Sequence, residues 1–286
     1  MADTAKAAKA VLITGCSTGI GRATAEHLAD RGWTVYATAR RPESIADLGE
    51  KGCKTLALDV TDEASMQAAV SEVEAAEGAV GVLVNNAGYS QSGAVESVKL
   101  DEIRAQFETN VFGLVRMCQL VLPGMRHQHW GKIVNVSSMG GKLTFPGGGI
   151  YHGTKHAVEA ISDALRFEVR GFGVDVIVIE PGLIRTQFAE AAVSKIESGT
   201  TANGPYAEFN AAVADATSGT YEGPLAKLGG GPEDVARKIR KVISRRRPRA
   251  RYPVTPSARM ILGIHTLLPD RGWDAFAATS FPRPKS

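Results

Sequence analysis

Cysteine is scarce. The 286 residues hold three (Cys16, Cys53, Cys118), an odd number, widely spaced and in no CxxC or Cys/His pattern. That argues against both a disulfide framework and a zinc site, so reduced thiols, a reducing compartment and no metal are expected. Long apolar runs are missing too. Residues 261–268 are too short to span a bilayer, and they include Gly263 and His265. Residues 1–10 are Ala/Lys-rich without the apolar core of a signal peptide. The expectation is a cytoplasmic protein with no membrane span. Strong charge of one sign is also absent: 33 basic against 30 acidic residues give +3. That is too little to argue for nucleic acid or a membrane surface.

What is present is local. Residues 237–251 hold nine Lys/Arg and no acid, leaving 24 basic and 30 acidic residues elsewhere. Glycine numbers 31, about 11% against an average near 7%. At 44% hydrophobic and 22% charged, the chain suits one α/β domain that buries roughly three-quarters of its unfolded surface.

Apolar runs at 10–14, 34–39, 55–59, 81–85, 132–137 and 174–180 read as strands. Helical spacing appears over 20–31, 63–77, 100–127 and 151–172. This β-α alternation predicts a doubly wound, Rossmann-type parallel sheet with helices on both faces. Nearly continuous apolar runs are expected where both sheet faces are covered. Residues 1–8 read as a flexible N-terminus, and 9–286 as one domain. Within it, 187–231 reads as a mobile substrate lid and 232–286 as a C-terminal extension. The extension opens with a helix over 232–247, having Pro232 and acids first and bases last.

Residues 10–21 read AVLITGCSTGIG: strand, glycine turn, helix. Gly15, Gly19 and Gly21 stand where such a turn needs positive φ, close backbone approach or tight packing, and the helix start offers N–H groups to a pyrophosphate. The spacing, TGxxxGxG, departs from GxGxxG. Thr14–Gly21, Asp59-Val60, Asn85–Gly88, Ser137-Ser138 and Pro181-Gly182 all fall at strand carboxyl ends, where ligands bind in open α/β sheets. Tyr151 and Lys155 are four apart on one helix face. Free tyrosine titrates near ~10, so proton transfer near neutral pH asks for roughly three units, about 4 kcal/mol. A neighbouring ammonium supplies part of that. Ser138, thirteen residues earlier, offers a hydroxyl to a substrate oxygen.

Together, TGCSTGIG (14–21), Asp59-Val60, NNAG (85–88), Asn110, Ser138, the Tyr151/Lys155 pair and PGLIRT (181–186) resemble the short-chain dehydrogenase/reductase family over about two-thirds of the chain. The resemblance implies that Tyr151 is the general acid/base. It implies that Lys155 binds the nicotinamide ribose and depresses the phenol pKa, that Ser138 orients substrate, and that Asn110 holds a relay water. Gly15, Ser17, Thr18, Gly19, Ile20 and Gly21 would line the cofactor phosphates. Asp59 and Val60 would frame the adenine. Asn86, Ala87 and Gly88 would support the cofactor beside the central strand. Pro181, Gly182, Ile184 and Thr186 would hold the carboxamide end. No metal is needed for direct hydride transfer.

The second strand ends Ala39-Arg40-Arg41, where an acid would bind ribose hydroxyls and repel a 2′-phosphate. A guanidinium pairs well with phosphate, so NADP(H) is favoured over NAD(H), with Arg40 as chief contact and Arg41 as helper. Thr18 stands where some NADP-dependent members carry a base, which weighs slightly the other way. Val95, Phe145, Pro146, Leu183 and Phe188 are candidate substrate walls. The tail from RYPVTPSARM (251–260) through Trp273 resembles the hydroxysteroid and retinol dehydrogenase branch, implying a bulky apolar ketone or alcohol. The alternatives are a 3-oxoacyl reductase acting on carrier-protein or coenzyme A thioesters and a non-catalytic NADP-binding sensor. The 237–251 segment reads first as a solvated helix end. Docking of an acidic substrate handle, of nucleic acid or of an anionic membrane stays open as a lesser reading, though stacking aromatics are nearly lacking there. The helices at 100–127 and 151–172 resemble the family's oligomer contacts, implying a homodimer or homotetramer.

Overall fold

Strand β1 (Val11–Ile13) is apolar at all three positions and fully buried, as a strand covered on both faces must be. In the computed structural model, which describes residues 8–187, 204–220, 224–281 and 283, it lies inside a parallel sheet. The other strands are β2 (Val35–Ala39), β3 (Lys54–Ala57), β4 (Val82–Asn85), β5 (Gly131–Val136), β6 (Val174–Glu180) and β7 (Arg251–Pro253). The order is β3-β2-β1-β4-β5-β6-β7, and neighbouring strands pair in parallel throughout. The order reverses direction between β1 and β4, which opens a crevice at their carboxyl ends.

Helices cover both faces. On one side α3 (Glu63–Glu77), α5 (Gly113–His127) and α6 (Gly149–Val169) bury Val73, Val121, Met125 and Val158 against Leu12, Leu83 and Ile133. On the other, α1 (Gly19–Ala29) packs Ala25 and Leu28, with Val235, Ile239 and Val242 of a later helix, against Ile13, Val84 and Ile177. A short α2 (Ala46–Glu50) follows β2.

The six strands and four helices read from sequence are present, with three differences of detail. β3 ends at Ala57, so Asp59 belongs to the following turn. The helix expected over 100–127 is α4 (Leu100–Phe107), a π-helical turn (Glu108–Phe112) and α5. Ala8, expected in a flexible N-terminus, donates its N–H to Gln128 Oε1 at 2.8 Å.

The second half departs further. Part of the expected mobile excursion is the helix α7 (Ala207–Thr220), an alanine-rich stretch seated by Asn210. Its buried side chain accepts from Ala94 N–H at 2.8 Å and donates to Ser97 Oγ at 3.3 Å. Within that excursion, 189–203 and 221–223 lie outside the described residues, as does Phe188. Helix α8 (Pro232–Ile243) has the expected acidic start: Asp234 Oδ2 accepts from Gly231 N–H at 2.9 Å. It stops at Ile243 rather than Arg247, with Ser244 as its C-cap, and Pro248 keeps Arg247 itself out of a helix. Strand β7 was not read from sequence. It is three residues long and ends in proline, so no local pattern marks it. Pairing with Val178–Glu180 of β6 makes it, at the sheet edge where proline is tolerated. Helices α9 (Pro256–Leu267) and α10 (Asp270–Ala277) complete the described chain.

Candidate active site at the carboxyl edge of the sheet

The glycine turn after β1 is built by its own contacts. Gly15 has φ +74°, and a Cβ there would stand 2.9 Å from Ala87 Cα. A Cβ on Gly21 would collide with Gly15 O and meet Asn86 Nδ2 at 2.5 Å. Both glycines are therefore required by the protein itself. Gly19 (φ +59°) is different: a Cβ there would meet only the Thr186 side chain, 3.5 Å from its methyl, across the crevice. Asn86 clamps the turn, donating through Nδ2 to Thr14 O and Gly15 O, each at 3.0 Å. Thr14 Oγ1 accepts from the N–H groups of Asn86 and Ala87, both at 3.0 Å. Thr18, the N-cap residue of α1, makes no side-chain cap. Ser17 and Thr18 are exposed, and Ile20 packs on the core. The helix start thus faces the crevice with uncapped N–H groups, the donor set an anion needs.

At the end of β2, Arg40 and Arg41 are exposed. Neither forms an ion pair among the described residues, unlike Arg22, which pairs with Asp47 and Glu26. Asp59 Oδ1 accepts from Thr61 N–H (2.9 Å) and Oγ1–H (2.8 Å). Val60 is wedged against Gly113, where a Cβ would strike its carbonyl oxygen. An uncapped helix start and a side-chain-free turn fit a dinucleotide, and Arg40 and Arg41 stand at the edge of that turn without an ion pair among the described residues.

The expected catalytic residues lie around the end of β5 and the start of α6. Ser138 Oγ accepts from Gly140 N–H at 3.0 Å, so its own O–H remains available to donate. Lys155 is buried on α6 and donates to Val136 O at 2.8 Å. Its Nζ lies 5.8 Å from the Tyr151 ring centroid. Burial pushes the Lys155 ammonium down to about 8, opposed by Glu159. Asn110 sits in the π-helical turn, a feature frequent at functional sites. The extra residue turns it inward, where it is buried. It accepts from Tyr89 N–H (3.1 Å) and donates to Tyr89 O (2.9 Å) and Thr154 Oγ1 (3.0 Å). A Cβ on Gly88 would stand 3.0 Å from Asn110 Oδ1, a tight contact that the amide would have to ease.

After β6, the turn carrying Pro181, Gly182, Leu183, Ile184 and Thr186 is fixed by the C-terminal extension and by Gly230, near the end of the stretch expected as a mobile lid. Ser257 Oγ accepts from Leu183 N–H at 3.3 Å. Gly230 N–H donates to Leu183 O and Gly230 O accepts from Arg185 N–H, both at 2.9 Å. A side chain on Gly182 would collide with Thr255 and Ser257. Phe145, expected as a substrate wall, is partly buried against the extension, 5.3 Å from the Trp273 ring, in the cluster of Leu143 and Ile261. Leu183 is buried as well.

The sequence reading missed several supporting groups. Asn85 Nδ2 donates to Asn135 Oδ1 (3.0 Å), and Asn135 Nδ2 to Ser162 Oγ (2.9 Å), crossing from β4 through β5 to α6. An asparagine closing β4 and another inside the apolar run of β5 were the available signal. His152 Nδ1 lies 3.0 Å from Gly140 O, and the ring fills the space beside Gly140 and Gly148. Burial pushes His152 down to about 4, so it stays neutral. It props the linker between Ser138 and Tyr151.

Residues 9–197 match the family model described as short chain dehydrogenase. The chain is a short-chain dehydrogenase/reductase. It is 41% identical over 181 residues to the 3-ketodihydrosphingosine reductase of Bacteroides thetaiotaomicron, a match spanning 63% of this chain and 65% of that one. It is 36% identical over 272 residues to an NADPH-dependent 3-dehydrocapnine reductase of Ornithobacterium rhinotracheale, covering 92% and 94%. Among solved structures, a short-chain dehydrogenase from Streptomyces avermitilis is 34% identical with a TM-score of 0.78, covering 96% of this chain and 95% of that one. This short-chain dehydrogenase/reductase is thus a nicotinamide-dependent oxidoreductase with the family's single Rossmann-type domain. Among the described residues no helix is long and apolar enough to cross a membrane.

Proposed function

We propose that this enzyme interconverts a bulky apolar ketone and its alcohol with NADP(H) as the preferred cofactor. The observation that carries the reading is Lys155 Nζ, 5.8 Å from the Tyr151 ring and bonded to Val136 O at the end of β5, the strand that Ser138 follows with its proton unspent. The nicotinamide supplies or accepts the hydride when bound. Every remaining task falls to the chain. Tyr151 gives its phenolic proton to the carbonyl oxygen in reduction and takes one in oxidation. Lys155, held by Val136 O, favours the phenolate by its charge. Ser138 donates to the oxygen on which charge develops. Asn110, whose amide is committed to Tyr89 and Thr154, fixes the floor of this corner and supports a relay water. Ser17 to Gly21, Asn86 to Gly88, Asp59 with Val60, and Pro181 to Thr186 would hold the dinucleotide, with Arg40 and Arg41 on its 2′-phosphate.

Phe145 and Leu183, with residues of the 187–231 lid including Phe188, would wall the substrate. Leu143 and Trp273, packed behind Phe145, give that wall its apolar backing. The relative named for 3-ketodihydrosphingosine supports a ketone substrate and the reductive direction. A turnover panel tests this: a steroid ketone, a retinoid, 3-ketodihydrosphingosine, a 3-oxoacyl thioester and a simple ketone, each with NADPH and NADH. Turnover of an apolar ketone is expected, and NADPH binding without turnover of any of them would overturn it in favour of a sensor. Tyr151→Phe should lower kcat about 10²–10⁴-fold with little change in NADPH affinity. Arg40→Ala should raise the NADPH KM roughly tenfold or more and leave that for NADH unmoved. A wild-type preference for NADH would remove the cofactor assignment.

A further inference from the structure

A second concavity shares no lining residue with the carboxyl-edge crevice. It lies where α8, the turn after it, β7 and the start of α9 meet, and encloses about 370 Å³, within the range of small-ligand sites. Six cations line it: Lys238, Lys241, Arg245, Arg249, Arg251 and Arg259. No carboxylate does. Arg251 is neutralised from behind by Glu159 and Asp163, at 2.8 and 2.6 Å. The other five form no ion pair with a described residue, whereas nearby Arg237 pairs with Asp234. Lys238 is held below the ordinary lysine value by burial and by the charges of Arg259, Lys241 and Arg245.

The cations are held on fixed backbone. Arg245 O accepts from Lys132 Nζ at 2.7 Å, and that buried ammonium is held in turn by Asp175. Arg249 N–H donates to Tyr252 Oη at 2.7 Å. Five like charges around one hollow repel each other unless a polyanion sits among them. Arginine forks match phosphate oxygens in pairs.

We propose that this hollow binds a phosphate group carrying two or more negative charges, either on a soluble phosphate ester or on a lipid headgroup at a membrane surface. The assignment is independent of the ketone reading.

The test uses the full chain with saturating NADPH, so that the crevice does not compete. Pyrophosphate is titrated by calorimetry into wild type, Lys241→Gln/Arg245→Gln and Arg259→Gln. In parallel, co-sedimentation is measured with vesicles of phosphatidylcholine alone and with phosphatidic acid, a phosphomonoester lipid, added. Saturable binding is expected in wild type, weakened about tenfold or more in the double variant. NADPH affinity should be unchanged. Arg259→Gln gives the same reading if the double variant fails to fold. Pyrophosphate binding without sedimentation assigns a soluble ester. Sedimentation only with the anionic lipid, lost in the variants, assigns a headgroup. Neither form of binding, or equal binding by all three proteins, overturns the proposal.

Discussion

Asn86 illustrates how a residue of the cofactor corner is also structural. Its amide ties the ends of β1 and β4 together through two carbonyls of the glycine turn. Asn86→Ala should cost roughly 1–3 kcal/mol, read by urea denaturation, and should weaken cofactor binding because the turn loosens. Lys155 adds a pH signature. Its folded value is about 8, below the ordinary 10.5. Between those values the unfolded chain holds a proton that the folded chain lacks, so stability rises with pH there. Without cofactor, the stability of wild type relative to Lys155→Met should therefore increase from about pH 8 to about pH 10.5. A flat difference would show that the ammonium is not desolvated.

Among the elements, β7 carries weight beyond its length. Arg251, on that strand, reaches Glu159 and Asp163 of α6 and Glu180 at the end of β6, the last at 3.5 Å. Glu159 and Glu180 are buried. Glu159 stands one turn beyond Lys155, and Glu180 immediately precedes Pro181. Removing one partner of a buried ionic group leaves uncompensated charge, about 3–5 kcal/mol. Arg251→Met should lose roughly that much, and Arg251→Met/Glu180→Gln should recover part of it. Burial, reinforced by Glu159, pushes Glu180 up to about 7. The folded protein therefore holds a proton between the ordinary 4.5 and that value which the unfolded chain has lost, so this group's contribution to stability falls as pH rises through that window. Denaturation at both ends of the window checks the sign. Arg251, read from sequence as part of a solvated run, is thus a structural cation, while five neighbours in that run and the adjacent helix form no ion pair among the described residues.

For the whole molecule, large apolar side chains stay exposed on the elements expected to form oligomer contacts: Phe112 at 56% and Phe167 at 84%. Light scattering should find a homodimer or homotetramer, and Phe167→Glu should shift it toward monomer. A monomeric wild type would leave these rings unexplained.

Local pattern determined the strand-helix alternation, because a strand buried on both faces must be apolar throughout and a covering helix must repeat near 3.6 residues. It also put Gly15 and Ser138 after strand ends and Tyr151 and Lys155 on one helix face, while the roles proposed for them came from the family resemblance. Tertiary structure decided what depends on groups far apart in sequence. The π turn that aims Asn110 inward, the Asn85–Asn135–Ser162 bridge and the docking of α7 through Asn210 arise from partners 21 or more residues away. So does β7, whose three residues become a strand only by pairing with β6. Its arginine acquires carboxylate partners only when the chain folds, 92 and 88 residues removed from them.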